Sequence, residues 1–126
     1  MAHPNKPKLT GWETKLMHYI WDRGHATADE IREALRAEGL KRSDSAIRKI
    51  LRGMEEKGAI SHTVENRTFI YTSNLKRHQV QGELIRYLSA LLFHGSVVSL
   101  ALRALDESDL SPEVIAEMRK KLNEAV

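Results

Sequence analysis

Residues 43–71 read SDSAIRKILRGMEEKGAISHTVENRTFIY, and the hydrophobic period changes inside this stretch. The first half predicts a helix from about Ser43 to Lys57, because its apolar residues recur at the spacing of one helical face. These residues are Ile47, Ile50, Leu51 and Met54. After Gly58 apolar and polar residues alternate, and residues 68–71 are rich in β-branched and aromatic side chains, which is typical of strands. The stretch therefore predicts a helix followed by a β-hairpin.

The hairpin is predicted to turn at Glu65-Asn66-Arg67, between the two strand patterns. Asn tolerates the left-handed conformation that a tight turn requires. Arg67 is therefore predicted near the tip.

The face of the helix opposite the apolar stripe is basic. Ser45, Arg48, Lys49 and Arg52 also follow helical spacing, and at about 100° per residue they lie on the outward side. Such a cluster is often only a solvated face. The simpler interpretation of Arg52 is an ion pair with Glu56, and that of Arg48 is a solvated side chain. A polyanionic partner is the alternative.

Two further helices are predicted before this one. Thr10 and Glu13, and again Thr27 and Glu30, have the spacing of a capping box, in which each side chain satisfies the other's backbone amide. Gly24 is predicted to end the first helix. The order of two helices, a basic helix and a hairpin is that of a winged helix-turn-helix.

The residues after 74 are helical again and lack the basic excess. Residues 1–74 hold 13 Lys and Arg against 10 Asp and Glu, whereas residues 75–126 hold 7 against 7. The segment 97–105 is apolar almost all round, which exceeds what one packed face requires. We therefore predict that these helices pair two copies of the chain, although a core closing over the first domain is the simpler alternative. The predicted dimerisation residues are Leu84, Leu88, Leu91, Leu92, Val98, Leu102 and Leu105.

The predicted domains are a winged helix-turn-helix in 1–74, with 1–8 as a flexible basic arm carrying Lys6 and Lys8, and a helical dimerisation domain in 75–126. The fold class is mainly α with a small β-hairpin. No apolar run approaches the roughly 20 residues of a membrane span, and the N-terminus lacks the apolar segment of a signal peptide. We therefore expect a cytoplasmic protein without membrane insertion.

Composition argues against catalysis and metal binding. Cysteine is absent, which excludes disulfides, thiolate metal sites and cysteine nucleophiles. The six histidines lack zinc-protease spacing, and the acids are scattered along amphipathic helices. We expect no metal, no cofactor and no enzymatic activity.

Several segments resemble the BlaI/MecI/CopY family, the penicillinase-repressor type of bacterial regulator, over about Leu9 to Leu122. The matching strings are LRGMEEKG at 51–58, NRTFIY at 66–71, FHGS at 93–96 and LSPE at 110–113. The resemblance implies a homodimer on a palindromic operator, with the third helix in the major groove and the wing along the backbone. It also implies relief of repression through a membrane sensor protease.

The chain departs from the family pattern in three places. Arg103-Ala104 stands where penicillinase repressors have an Asn-Phe cleavage site, so we expect no cut at this bond. The paired Cys-x-Cys motifs of copper-responsive members are missing, which argues against copper sensing. Arg42, Asp44 and Ala46 occupy positions where aromatic and hydroxyl residues are common, so we expect a different operator sequence.

The predicted function is a sequence-specific, DNA-binding transcriptional repressor. Arginine can bind guanine edges or phosphates with two parallel hydrogen bonds, whereas lysine makes point-charge contacts. The alternative is a winged-helix adaptor that binds a protein, which would lack the steep salt dependence of DNA binding. The predicted DNA-binding residues are Lys41, Arg42, Ser43, Ser45, Arg48, Lys49, Arg52 and Arg67.

Overall fold

The structure is a computed structural model, and it describes residues 7–125. Lys6 and most of the predicted N-terminal arm lie outside the described residues. The elements in chain order are α1 (Gly11–Arg23), α2 (Ala28–Ala37), α3 (Asp44–Glu56), β1 (Ile60–Glu65), β2 (Thr68–Ser73), α4 (Arg77–Leu92), α5 (Val97–Asp106) and α6 (Pro112–Glu124). The predicted fold class, mainly helical with one hairpin, is confirmed.

Local chemistry at the helix ends explains the bounds of the first three helices. Both predicted capping boxes form: the Glu13 amide donates to Thr10 Oγ1 while the Glu13 carboxylate accepts from the Thr10 amide, and Thr27 and Glu30 repeat the pattern. Gly24 ends α1 at a φ of +84°, where an L side chain would be strained.

The hairpin turns through two residues, Asn66 and Arg67, with φ values of +49° and +66°. Positive φ at both positions is the type I′ arrangement, whose twist matches that of the flanking strands. The strands pair antiparallel, from Ile60 opposite Ser73 to Glu65 opposite Thr68.

A short bridge ties the hairpin to the helices. Ala26, in the α1–α2 connection, exchanges two backbone hydrogen bonds with Tyr71, of 3.0 and 2.8 Å. The sequence pattern did not predict this third segment of extended chain, because one residue carries no periodicity.

The core of the N-terminal unit lies between α1, α2, α3 and the base of the hairpin. Its fully buried side chains include Leu16, Met17, Ile20, Ile31, Leu35, Ile47, Leu51 and Met54. Ile50, predicted on the same stripe, is only partly buried. A single stripe of α3 therefore packs inward.

The chain divides into two compact units between Val80 and Gln81. The predicted domain boundary fell six residues earlier, after residue 74. The first turn of α4 stays with the N-terminal unit because Arg77 pairs with Asp22 of α1, and the Trp21 indole donates to Ser73 Oγ and to the Leu75 carbonyl.

The C-terminal unit holds the rest of α4 together with α5 and α6. The one buried side chain between Gln81 and Ala125 is Ser89, whose hydroxyl donates to the Ile85 carbonyl at 2.7 Å. Helices α5 and α6 contact each other, yet neither has a buried residue. Over residues 7–125 no single helix is long and apolar enough to cross a membrane; α4 and α5 reach that length and composition only together, and they meet at 91°.

Candidate nucleic-acid interface

Helix α3 has one buried and one exposed face. Ile47, Leu51 and Met54 are 0% exposed. The four polar residues of the opposite face, predicted to contact DNA, are all exposed: Ser45, Arg48, Lys49 and Arg52. Because packing fixes the buried face, the rotation of the helix about its axis is set by the core.

Arg48 is held at the surface by Asp44, one helical turn earlier, with 2.8 Å between its Nε and the Asp44 Oδ2. Both side chains are well exposed, so the pair contributes at most about 1 kcal/mol and leaves the outer guanidinium nitrogens free to bind elsewhere. The predicted alternative for Arg52, an ion pair with Glu56, does not form, and within 7–125 neither Arg52 nor Lys49 has an acidic partner.

The N-cap of α3 is Ser43, whose hydroxyl accepts a hydrogen bond from the Ala46 amide at 3.1 Å. Asp44 is not the capping residue: it lies in the first turn, where its negative charge interacts favourably with the helix dipole. Ser45 Oγ lies 3.2 Å from Ser43 Oγ. Ser43 thus positions the start of α3 as well as lying on its exposed end.

Lys41 and Arg42 precede α3 and are exposed. The Arg42 guanidinium lies over the Trp12 ring, 4.1 Å from its centroid, a cation–π contact that orients the side chain without neutralising its charge. Together with Ser43, Leu40 and two residues of α2, Arg32 and Arg36, these cations line a concave pocket of about 480 Å³. Arg32 and Arg36 are not predicted from the sequence, because each has an acid three residues before it and resembles part of an ordinary solvated helix face.

The hairpin of β1 and β2, which we call the wing, brings Arg67 to the same cleft as Arg48. This cleft, of about 160 Å³, is also lined by Thr27, the N-cap of α2, by Asp29 in the first turn of α2, and by Phe69 and Tyr71 of β2. Arg67 therefore lies beside α3, the helix predicted to enter the major groove and called the recognition helix below. Seven of the eight predicted DNA-binding residues lie on α3 and in the loop before it, and the eighth, Arg67, lies across this cleft.

Glu55 and His62 join the wing to α3, and no pattern in the sequence predicts this pair. The Glu55 carboxylate hydrogen-bonds His62 Nδ1, and the His62 ring stacks on Phe69 at 3.9 Å between centroids. Burial raises the pKa of the neighbouring Tyr71 hydroxyl, and so does Glu55, while Arg48 and Arg52 oppose the shift. His62 is partly buried on β1, but its helical partner can be found only in three dimensions.

Glu13 connects α1 to the C-terminal part of α3. A Cβ at Gly53 would lie 3.4 Å from Glu13 Oε2, so a side chain of α1 lies over this glycine. Burial alone would raise the pKa of the Glu13 carboxyl, but hydrogen bonds from Lys57 and from the Thr10 amide outweigh it and lower the pKa. Helix α1 therefore approaches the backbone of α3 closely at this glycine.

The predicted dimerisation residues lie in a unit with little internal burial. Leu88, Leu91 and Leu92 are exposed, with Leu91 at 51% and Leu92 at 65%. Leu84, Val98, Leu102 and Leu105 are partly buried. In the part of the chain between Pro7 and Ala125, no group of three His, Asp or Glu residues is placed to hold a metal ion.

Three helices, a hairpin wing and an exposed basic third helix define a winged helix-turn-helix protein. The chain belongs to the penicillinase repressor family, which matches residues 9–124. The predicted resemblance is therefore confirmed, and the family is one of transcriptional repressors.

Individual relatives agree with this assignment. The chain is 26% identical to the methicillin resistance regulatory protein MecI of Mammaliicoccus sciuri, over 92% of this chain and 94% of that protein. It is 27% identical to the penicillinase repressor of Bacillus licheniformis, over 94% of this chain and 91% of that protein. Among solved structures, it is similar to the DNA-binding domain of the repressor BlaI, with a TM-score of 0.50 and 27% identity over 58% of this chain and 88% of that domain.

Proposed function

We propose that the protein is a transcriptional repressor that binds a palindromic DNA operator as a homodimer. Its family and the similarity to a repressor's DNA-binding domain support DNA as the partner. The proposal places the protein in the cytoplasm, where bacterial DNA lies.

The observation that carries the DNA-binding part is the division of α3 into two faces. The buried face holds the helix against α1 and α2, so the exposed Arg48, Lys49 and Arg52 project together. A helix about 10 to 12 Å wide with its side chains fits the major groove of B-DNA, about 12 Å across. An adaptor that binds a protein would not require a row of exposed cations on this face.

Arg67 extends the contact beyond the helix. The type I′ turn holds it at the tip of the wing, and the cleft that it shares with Arg48 is the space between wing and recognition helix. A backbone phosphate beside the groove is the ligand that suits an exposed arginine there.

The dimer part rests on the apolar surface of the C-terminal helices. A unit of 45 described residues with one buried side chain, Ser89, cannot bury enough apolar area to be stable by itself. A second copy would cover the exposed leucines of α4 by a symmetric contact of the same patch on both chains. Two recognition helices related by a two-fold axis then require a palindromic operator.

A membrane sensor protease is a partner that the family resemblance implies. If such a protease acts on this chain, its cut falls outside Arg103-Ala104. Both residues lie in the middle of α5, and an ion pair between Arg103 and Glu107 spans the bond at 2.6 Å.

The test is a titration of variants against DNA from upstream of this protein's own gene. Arg48→Ala and Arg52→Ala should each weaken binding. At least one of them should reduce the difference in binding free energy between operator and scrambled duplex by about 1–3 kcal/mol, the discrimination that a bidentate arginine–guanine contact provides. Lys49→Ala and Arg67→Ala should weaken binding to every duplex by a similar factor. They should also reduce the slope of log affinity against log salt concentration.

Fluorescence anisotropy with operator and scrambled duplexes, at two salt concentrations, measures both effects. Lys76→Ala is the control, because this exposed cation lies outside α3 and the wing. All variants should keep the parent circular dichroism spectrum, since none removes a core side chain. Parent-like binding by folded Arg48→Ala and Arg52→Ala proteins would show that α3 does not face the DNA.

A further inference from the structure

A second basic surface lies beside the recognition helix, in the pocket between α2 and the start of α3. Six residues line this pocket, which measures about 480 Å³, and four of them are cations. Arg32 and Arg36 come from α2, one turn apart, and Lys41 and Arg42 come from the following loop. None of the six is acidic.

The cations of this pocket are only weakly neutralised. Arg32 approaches Asp29 at 3.6 Å and Arg36 approaches Glu33 at 3.4 Å, and both distances are longer than that of a good charged hydrogen bond. The side chains of these two ion pairs are also substantially exposed to water, which weakens the pairs. Among the described residues, Lys41 and Arg42 have no acidic partner. The Arg32 Nε is enclosed and makes no hydrogen bond within the part of the chain that the structure describes.

The pocket is partly preorganised. The Trp12 ring holds the Arg42 guanidinium from one side, and the row of Arg32 and Arg36 is fixed by helix α2, whose Ile31 and Leu35 are 0% exposed. A charged ligand would therefore meet cations already converging on one concavity, which reduces the ordering cost of binding.

We propose that this pocket binds a phosphate group, either of the DNA backbone or of a small phosphorylated molecule. Phosphate fits because its several oxygens accept from planar guanidinium groups in pairs, and three of the four cations are arginines. The DNA form of the proposal rests on the proposed function and extends the protein's contacts from α3 to α2. The small-molecule form does not require DNA binding.

The experiment uses the full chain with two probes. Inorganic pyrophosphate is titrated by calorimetry into the parent protein and into the double variant Arg32→Gln, Arg36→Gln. The same proteins are then bound to the duplex from upstream of the gene over a range of salt concentrations. The control is the double variant Lys76→Gln, Lys120→Gln, which removes the same charge at two exposed positions outside the pocket.

If the pocket binds a small phosphorylated molecule, the pyrophosphate affinity of the pocket variant should fall at least about tenfold. The affinity of the control should match that of the parent. If the phosphate belongs to DNA, the slope of log affinity against log salt should fall by about 0.9 for each DNA phosphate that the variant no longer neutralises, again without change in the control. Lys41→Gln, a loop substitution that touches no helix, should reproduce the direction of the effect if the double variant folds poorly.

Parent-like pyrophosphate binding and a parent-like salt slope in both folded pocket variants would overturn the proposal. A parent protein that binds no DNA would instead contradict the proposed function, and the pyrophosphate titration would still decide whether the pocket binds phosphate.

Discussion

Capping at the ends of α1 and α2 involves side chains and backbone amides only a few residues apart. Thr10, Thr27 and Gly24 act as predicted, because capping depends on neighbours within four residues along the chain. Contacts across larger separations were not predictable: the Glu55–His62 hydrogen bond joins a helix to a strand, and sequence spacing carries no sign of it. The choice of Ser43 over Asp44 as N-cap also needed geometry, since both residue types cap helices well.

Glu13 gives a prediction at this scale. In the folded protein its pKa is lowered from 4.5, so its charge stabilises the fold above that pH and the contribution is lost as pH falls through the lowered value. Glu13→Gln keeps a capping side chain but removes the charge that binds Lys57, and should cost about 1 kcal/mol near neutral pH. The free energy of unfolding, measured by urea denaturation, should show this difference shrinking in acid.

Glu56→Gln is the matched control, an exposed position on α3 without an ion pair among the described residues. A penalty for Glu13→Gln that stays constant down to acid pH would show that the carboxylate charge plays no part.

At the scale of elements, the hydrophobic period predicted α3 and the two strands of the hairpin, and the capping boxes predicted α1 and α2. The turn was predictable from Asn66, and the structure adds that Arg67 also takes a positive φ. What periodicity could not give is how the elements meet: the bridge from Ala26 to Tyr71 and the cleft between the wing and α3 depend on tertiary packing. The candidate site was therefore predicted as a set of side chains, but its two clefts were not.

Helix α5 carries a prediction about induction. Because Arg103-Ala104 replaces Asn-Phe and lies within the helix, release from DNA should not use a cut at this bond. Intact mass measurement of the protein from induced cells should recover the full chain or fragments with other ends. A fragment ending at Arg103 would contradict the prediction.

At the scale of the whole molecule, the apolar run 97–105 predicts a dimer. The sequence pattern does not show which leucines remain exposed in a single chain. The structure points to α4, where Leu92 is 65% exposed. Leu92→Glu should weaken the dimer and leave the N-terminal unit folded, since burying a leucine is worth about 1.5–3 kcal/mol and the symmetric contact loses two. The dissociation constant should rise at least about a hundredfold.

Sedimentation velocity at micromolar concentration measures the change. Val64→Glu serves as control, because Val64 is 58% exposed but lies on the wing. A monomeric parent protein would contradict the proposed dimer. A Leu92→Glu protein that is as dimeric as the parent would show that Leu92 is not part of the interface.

The central claim, a dimer that reads two half-sites with α3, is tested most directly by a hydroxyl-radical footprint of the parent protein on the DNA upstream of its gene. Two recognition helices related by a two-fold axis should protect two segments of related, inverted sequence, with centres about one helical turn or a whole number of turns apart. Protection of a single segment, or two segments without inverted symmetry, would contradict the account.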